Sequence, residues 1–229
     1  DTQTHEKYAL NDISLLPRYA VLVPALTLGL PPGVTAATGM DALTHAIEAF
    51  IGKSNTGKTR ADSLNAVFLV NHYLYKAYAD GSDLDARRSM QQAAYLAGKA
   101  FTRAYVGYVH AIAHQLGALY NTPHGLANAI LLPHVLAFYG DAAVPQLAEL
   151  YEAFGGKDIQ ASLRERAAHV IERIRFFNLS MNIPNKIEIR EADIPRIVEG
   201  AYREANPLYP VPRILDRDEL TALVETVML

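Results

Sequence analysis

Histidines are concentrated in one part of this sequence. Four of the eight histidines lie between residues 110 and 134. His110 and His114 are four residues apart, and His124 follows directly after a proline. Neutral imidazole is the most common metal ligand in proteins and also the usual acid or base near pH 7. This stretch therefore indicates a metal-centred enzyme.

A carboxylate with a compatible spacing lies earlier in the chain. Asp41 and His45 are four residues apart, as are His110 and His114, and residues at this spacing share one face of a helix. Together Asp41, His45, His110 and His124 supply one carboxylate and three imidazoles. This mixture suits Fe(II), Zn(II), Mn(II) or Co(II), and it does not suit calcium or magnesium, which prefer oxygen ligands.

Each histidine taken alone has a structural explanation. A single histidine on an apolar helix is more often a hydrogen-bonded core residue than a ligand, and we interpret His72, His134 and His169 in this way. Only the combined set favours a metal. Glu48 lies near one turn beyond His45; it could be a ligand itself, but we interpret it as a residue that supports a ligand or faces solvent.

These side chains need helices to position them. The sequence of residues 7–30 predicts short extended segments, and residues 18–23, which lie between two prolines, are prone to form a β-strand. A Pro-Pro-Gly break follows, and Thr35 is the predicted N-cap of a helix that ends near Ile51. The remaining helices are predicted over residues 60–79, 87–103 with a start at Ser82 or Asp83, 106–119, 125–139, 143–153, 158–179, 191–203 with a start at Asp193, and 216–228 with a start at Asp216.

The sequence therefore predicts a mainly α fold, in which a short β-strand lead-in over residues 1–30 precedes an all-helical metal-binding bundle over residues 31–229. The first residue, Asp1, is not methionine and the chain runs at once into the strand-like segment. We expect the chain to be the later part of a longer protein.

Composition narrows the possible functions. Half of the 229 residues are hydrophobic, which is enough for a substantial core, and the net charge of −3 gives no general attraction to nucleic acid or to an anionic membrane. The absence of cysteine excludes disulfides, zinc ribbons and thiol catalysis. The sequence has neither a recognisable signal peptide nor an apolar run long enough to span a bilayer. We expect a cytoplasmic protein without nucleic-acid or membrane partners.

A competing motif lies at the end of the first predicted helix. Residues Gly52 to Thr59 match the phosphate-loop pattern G-x-x-x-x-G-K-[ST] in full, with Lys58 and Thr59 in the phosphate-binding positions. That motif requires a buried strand before the loop, whereas residues 41–50 have a helical period. We interpret the segment as a polar linker between helices. A phosphate-loop nucleotide-binding protein is the alternative hypothesis.

Five ordered segments carry a family resemblance, namely residues 29–32, 38–48, 110–118, 120–125 and 128–135. Through them the chain, over essentially its whole length, resembles the iron-containing (group III) alcohol dehydrogenases, which include lactaldehyde reductases, propanediol dehydrogenases and butanol dehydrogenases. The resemblance implies an N-terminal α/β dinucleotide-binding domain followed by an all-α metal domain. Residues 1–30 would then be a remnant of the first domain. The family's Gly-Gly-Gly-Ser pyrophosphate loop would lie upstream of Asp1.

The resemblance also implies an activity. It predicts a metal-dependent oxidoreductase that transfers a hydride between a small alcohol or aldehyde and NAD or NADP. Fe(II) is the expected ion and Zn(II) the alternative, and the full-length protein is expected to be a homodimer. A non-catalytic metal-binding helical domain is a third hypothesis.

Site residues follow from the same resemblance. The family's metal ligands correspond to Asp41, His45, His110 and His124, the set that spacing indicates independently. His114 corresponds to a histidine beside the metal, and it is the candidate for proton relay or substrate orientation; a structural hydrogen bond is the alternative. Lys7 and Leu26 correspond to positions in contact with, or close to, the dinucleotide.

Overall fold

The computed structural model describes residues 12–15 and 17–229, and helices dominate them. Short 3-10 helices lie at Ile13–Leu15, Pro24–Thr27, Gly140–Ala142 and Glu191–Asp193. The α-helices are α1 (Pro32–Ile51), α2 (Gly57–Ala79), α3 (Leu84–Ala104), α4 (Tyr108–Tyr120), α5 (His124–Tyr139), α6 (Val144–Glu149), α7 (Leu163–Ser180), α8 (Ile194–Ala205) and α9 (Arg217–Val227). The predicted all-helical bundle is confirmed.

The three long helices α1, α2 and α3 pack against one another. On α3 the buried positions are almost all alanine, including Ala93, Ala97 and Ala100. Side chains this small let the neighbouring helices approach closely. Helix α1 also packs against α5, so α1 has core contacts on more than one side and is mostly buried. The two candidate site residues on α1, Asp41 and His45, are half-buried, with side chains 21% and 18% exposed.

Helices α4 and α5 form the second half of the site. They pack against each other, and α4 also packs against α8, while α5 contacts α7 and α9. Large apolar side chains such as Ile112, Leu116 and Leu131 are fully buried there. Complete burial of such a side chain contributes roughly 1.5–3 kcal/mol to folding. These contacts fix the relative positions of α1, α4 and α5.

Several predicted helix boundaries need correction. Helix α1 begins at Pro32, not at Ala36, because proline suits the first turn of a helix. Thr35 lies inside that turn, and its hydroxyl accepts a hydrogen bond of 2.7 Å from the buried Arg87 guanidinium instead of capping the helix. Helix α7 starts only at Leu163, because Ser162 is its N-cap and forms a reciprocal capping box with the third residue of the helix.

All three predicted acidic helix starts are confirmed in position, and two of the three acids cap their helices through the side chain. The side chain of Asp83 caps α3, and that of Asp216 caps α9. Asp193 precedes α8 but makes no capping hydrogen bond. Its carboxylate accepts instead from the Tyr120 hydroxyl at 2.6 Å and from the Arg190 guanidinium at 2.7 Å.

The predicted strand at residues 18–23 is not confirmed. A strand is defined by hydrogen bonds to a neighbouring strand, and residues 12–15 and 17–30 form no such ladder within the described part of the chain. The only pairing of that kind among the described residues is an isolated parallel bridge between Ile187 and Met228. Among those residues, no helix has the length and apolar character that crossing a bilayer requires.

Candidate metal centre

Three helices bring the predicted ligands together. Asp41 and His45 lie one turn apart on α1, His110 lies in the first turn of α4, and His124 is the first residue of α5. Each of the four side chains offers one ligand atom, and these atoms all lie within 4.8 Å of one another. The side chains therefore converge on one point, as a single bound cation requires.

Asp41 is the closest common neighbour of the imidazoles. Its Oδ1 lies 3.7 Å from His110 Nε2 and 3.5 Å from His124 Nε2, and its Oδ2 lies 3.9 Å from His45 Nδ1. The carboxylate can thus balance the charge of an ion that the three imidazoles also contact.

The chain between α4 and α5 makes this convergence possible. Asn121 ends α4 in the left-handed conformation, which asparagine tolerates better than most residues. Helix α5 then begins after Pro123, with Gly125 in its first turn. A Cβ atom at Gly125 would clash with the backbone carbonyl of Ala37 on α1. The glycine therefore lets the start of α5, with His124, lie directly against α1.

A buried carboxylate orients His110. Glu48 is 3% exposed, and its Oε2 accepts a hydrogen bond of 2.6 Å from His110 Nδ1, while its Oε1 accepts one of 2.9 Å from the Val109 backbone. A proton on Nδ1 leaves the Nε2 lone pair for a metal, which is the common carboxylate–histidine–metal arrangement. Gly107 leaves room for this carboxylate, because a Cβ there would lie 2.7 Å from Glu48 Oε1. Glu48 is thus buried against a candidate ligand and does not face solvent.

Stacking holds the ring of His45. It lies between the rings of Phe101, at a centroid distance of 4.3 Å, and His110, at 4.4 Å. Burial, together with the neighbouring His110 charge, lowers the pKa of His45 to about 3. His45 is therefore neutral near pH 7, which is the form that binds metals.

The pKa values of His110 and Asp41 shift in opposite directions. Burial works to lower the pKa of His110, but the carboxylates of Asp41 and Glu48 outweigh it and raise that pKa to about 9. Burial works to raise the pKa of Asp41, but the nearby His110 and His45 outweigh it, and the pKa lies well below its usual range. Asp41 is thus an anion, and His110 carries a proton that a metal would have to displace.

His114 lies beside this group but not in it. Its ring stacks on that of His124 at a centroid distance of 5.2 Å, and its Nδ1 donates to Glu204 Oε1 at 2.7 Å. The Tyr209 hydroxyl donates to the same Oε1 at 2.7 Å. Burial and the Glu204 carboxylate raise the pKa of Tyr209 well above its usual range, so its proton stays on the hydroxyl. His114 therefore has a fixed ring orientation next to the candidate metal site.

Sequence reasoning missed Asn128, which lies one turn after His124 on α5. Its Nδ2 lies 2.6 Å from Asp41 Oδ1 and 3.1 Å from Nε2 of both His110 and His124. The i, i+4 spacing to His124 could have identified it. Glu204 was also missed, and no local pattern could have found it, because it lies 90 residues from His114.

The remaining candidates lie elsewhere. Leu26 is 83% exposed in the 3-10 helix before α1, and its proximity to a dinucleotide stays a prediction; Lys7 lies outside the described residues. His72 hydrogen-bonds the Phe68 carbonyl of its own helix, and His169 lies 3.4 Å from the Phe154 carbonyl. Both histidines thus make hydrogen bonds to backbone carbonyls as predicted, but His72 is exposed and is not the core residue that the sequence predicted.

The phosphate-loop alternative fails on its context. Gly52 follows a helix, α1, and not a strand. Within the segment the polar groups bond to the protein itself: the Lys53 N–H donates to the Pro210 carbonyl at 2.6 Å, and Asn55 Nδ2 donates to the Phe50 carbonyl at 2.7 Å. Thr56 is the N-cap of α2 in a reciprocal pair with Thr59. The segment is a helix–helix linker.

Fold and site together define an all-helical domain with a group of one carboxylate and three imidazoles that could hold a metal ion. The sequence pattern of the C-terminal part of the Fe-containing alcohol dehydrogenase family matches residues 35–228. The chain belongs to this family.

Individual relatives agree with that assignment. The chain is 39% identical to 1,3-propanediol dehydrogenase of Klebsiella pneumoniae over 226 residues, which is 97% of this chain and 58% of that protein. It is 36% identical to NAD-dependent methanol dehydrogenase of Bacillus methanolicus, over 89% of this chain and 54% of that protein. A crystal structure of 1,3-propanediol oxidoreductase superposes with a TM-score of 0.86 at 40% identity, over 90% of this chain and 54% of that one. The chain thus spans little more than half the length of these relatives.

Proposed function

We propose that this chain is the metal-holding part of an NAD(P)-dependent alcohol dehydrogenase or aldehyde reductase, which transfers a hydride between a small alcohol or aldehyde and the nicotinamide. One observation carries this proposal: a carboxylate and three imidazoles from three separate helices meet within 4.8 Å. The names of the relatives support the substrate class, because they include dehydrogenases of propanediol and methanol.

The donor set fits a divalent first-row ion. Three nitrogen donors and one carboxylate suit Fe(II), with Zn(II) as the alternative. Asp41, His45, His110 and His124 would hold the ion, and Glu48 fixes the tautomer of His110 that exposes Nε2. A bound ion would supply a Lewis acid that polarises the oxygen of the alcohol or aldehyde.

His114 is the proposed catalytic residue. Because its Nδ1 donates to Glu204, its other ring nitrogen is the one available to a substrate. Its stacking against His124 keeps it next to the proposed ligands. In this position His114 would orient the substrate or exchange a proton with it, while Glu204 and Tyr209 keep its ring in place.

We propose that the dinucleotide binds mainly to the domain that precedes this one in the full-length protein. Residues 1–30 would belong to that preceding domain, and residues 31–229 to the metal domain. Several apolar side chains in the lead-in are strongly exposed, among them Tyr19, Val21 and Leu26. Exposed apolar side chains gathered in one segment are typical of a surface that another domain covers. Lys7 and Leu26 are the proposed dinucleotide contacts, and the whole protein is proposed to be a cytoplasmic homodimer.

The test uses the whole protein that contains this chain. After loading with Fe(II) or Zn(II), formation of NADH or NADPH is followed during oxidation of propanediol and other small alcohols. We expect the His110→Ala/His124→Ala double variant to lose this activity. His72→Ala is the matched control, because it removes an exposed histidine that bonds only within its own helix, and it should keep full activity.

Two outcomes would overturn the proposal. Full activity in the double variant would remove the metal site from the reaction. Uptake of the ion without reduction of either dinucleotide by any alcohol would instead indicate a non-catalytic metal-binding domain.

A further inference from the structure

A buried arginine lies where the lead-in joins the helical bundle. Arg87, near the start of α3, is 3% exposed, and it is the one buried arginine in the described part of the chain. Its Nε donates to the Gly81 carbonyl at 3.0 Å, its Nη1 to the Thr35 hydroxyl at 2.7 Å and its Nη2 to the Leu30 carbonyl at 3.3 Å. All three acceptors are neutral.

The charge of this guanidinium has no direct counter-charge among the described residues. The exposed carboxylate of Asp80 has a pKa below its usual range mainly because Ser82 donates hydrogen bonds to it, and the charge of Arg87 contributes least. A guanidinium also carries more N–H donors than the three bonds use, so one on Nη1 and one on Nη2 remain. Burial of an unpaired charge is costly, and an anion beside Arg87 would offset that cost.

A cavity of about 180 Å³ lies beside Arg87. Its wall is formed by the lead-in, α1 and α3, and most of the exposed wall is apolar. The apolar side chains that line it are Leu30, Ala42, Met90 and Ala94. The cavity therefore combines one cationic side with a hydrophobic remainder.

An amide without a partner lines the same cavity. Gln91 lies one turn after Arg87 on α3, and its Oε1 is buried without a hydrogen-bond partner among the described residues. Buried polar atoms nearly always have a partner. A half-turn of the amide exchanges Oε1 and Nε2, so this end of Gln91 can donate as well as accept. A ligand carboxylate could then accept from Arg87 and Gln91 together.

Charge and wall together select the class of ligand. A carboxylate matches the planar donor fork of a guanidinium. A small inorganic anion would lose its hydration against an apolar wall and gain little in return, whereas a short hydrocarbon chain would be favoured there. A cavity of about 150 Å³ is large enough for benzene, so this one has room for a chain of about four to six carbons.

We propose that this cavity binds a short-chain monocarboxylate, with its carboxylate on Arg87 and its chain against Met90 and Ala94. The ligand would contact the lead-in, α1 and α3 at once and so stabilise their junction. The site needs neither the metal ion nor the dinucleotide. Its failure would therefore leave the function proposed above untouched.

Calorimetric titration with butyrate tests the proposal. Metal-stripped whole protein is used at constant ionic strength in a buffer without carboxylates, so that butyrate has no ion to bind. We expect saturable binding to one site per chain. Arg87→Met keeps a long side chain but removes the charge, and it should lower the affinity roughly 10- to 100-fold, as loss of charged hydrogen bonds does.

A second variant tests the cavity with Arg87 intact. Ala94→Leu places a larger side chain in the wall of the cavity at a helix position that leucine suits. It should also lower the affinity for butyrate by at least about 10-fold, because the chain of the ligand loses its space. Circular dichroism checks that both variants keep their helices. Unchanged binding in Ala94→Leu would contradict the proposal even if Arg87→Met failed to fold.

Arg88→Met is the matched control. Arg88 is the next residue of α3, but it is exposed and paired with Asp85, so its loss should leave butyrate binding unchanged. Butyramide, which has nearly the same shape without the charge, should bind at least about 10-fold more weakly than butyrate. The proposal falls if wild type shows no saturable binding of butyrate, if Arg88→Met loses as much affinity as Arg87→Met, or if chloride binds as tightly as butyrate.

Discussion

Two neighbouring stretches of this chain match patterns of ligand-binding sites, but they differ in how their polar groups are used. Asp41 and His45, on one face of α1, meet His110 and His124 from two other helices. In residues 52–59, which begin where α1 ends, the Lys53 N–H and the side chains of Ser54, Asn55, Thr56 and Thr59 are bonded within the protein. The first stretch directs possible metal donors to a common point. In the second stretch, most of the polar groups that could bind a ligand already have partners within the protein.

The difference lies in the elements that precede and surround each stretch. A phosphate loop works only if a strand aims its backbone N–H groups at one point, and here a helix precedes it. Asp41, His45, His110 and His124 meet because close helix contacts, such as that at Gly125, bring three helices together. A short sequence pattern therefore predicts a site only when the fold directs its donors to one place.

A change at the close contact between α5 and α1 should have the largest effect on the candidate metal site. Gly125→Ala would push His124 away from Asp41 and cost about 1–3 kcal/mol of unfolding free energy. Loss of a residue that supports a metal ligand typically weakens binding roughly 10- to 100-fold. Because Gly125→Ala moves a candidate ligand itself, the affinity for Fe(II) or Zn(II), measured by calorimetry, should fall by more than that. Gly98→Ala, a glycine of α3 with open space around it, should instead gain about 0.5–1 kcal/mol. Wild-type affinity in Gly125→Ala would contradict this explanation.

Loss of the carboxylate behind His110 should have the next largest effect. Glu48→Gln keeps an oxygen for the Val109 N–H but removes the charge that holds the His110 Nδ1 proton. We expect metal affinity to fall roughly 10- to 100-fold in calorimetric titrations. Glu204→Gln changes the partner of His114 and leaves the four ligands alone, so it should bind metal as wild type does. Equal losses in the two variants would show that neither carboxylate acts through a particular histidine.

Proton release on metal binding should distinguish His110 from His45. With a pKa of about 9, His110 carries a proton at pH 7 that an ion must displace, whereas His45, with a pKa of about 3, carries none. Binding at pH 7 should therefore release about one proton from His110, and affinity should fall about 10-fold per unit as the pH drops below 9. Calorimetry in two buffers of different ionisation enthalpy measures this release. Metal binding at pH 7 without proton release would contradict it.

The stability of the metal-free protein should change with pH in the direction opposite to its metal affinity. The folded pKa of His110 lies above its ordinary value of about 6.5, so the charged imidazole stabilises the fold fully below that pH. This contribution is lost as the pH rises through about 9. Urea titrations without a metal should therefore give a lower unfolding free energy at pH 10 than at pH 7.

The linker should give the smallest effects. Lys58 is exposed, so Lys58→Ala should change the unfolding free energy by less than about 0.5 kcal/mol. Thr56→Ala removes the N-cap of α2 and should cost about 1 kcal/mol. Neither variant should change the affinity for ATP or GTP. A loss of tight nucleotide binding in Lys58→Ala would restore the phosphate-loop hypothesis.

The candidate ligands could be selected from the sequence because their spacing is partly local. The i, i+4 pair on α1 and the helix-start position of His124 are visible in the chain itself. Asn128 was equally accessible, because it lies one turn after His124 on the same face of α5 and contacts Asp41, His110 and His124. Glu204 was not accessible, because only the packing of α8 against α4 brings it to His114.

Boundaries and the lead-in were predicted less well, for two physical reasons. Thr35 has the right residue type for an N-cap, but its hydroxyl is used by Arg87, which lies 52 residues away. Residues 18–23 have the composition of a strand, but a strand needs a partner and the described residues provide none. The N-cap was wrong because of a contact that is distant in sequence, and the strand stays unconfirmed because its pairing would also depend on residues distant from it.

Metal stoichiometry tests the central claim most directly. Metal-stripped protein is titrated with Fe(II) without oxygen, or with Zn(II), and the bound ion is counted per chain for wild type, for His110→Ala/His124→Ala and for His72→Ala. Convergence of the four side chains predicts about one tightly bound ion in wild type and in His72→Ala, and none in the double variant. A double variant that still holds about one ion per chain would contradict the account.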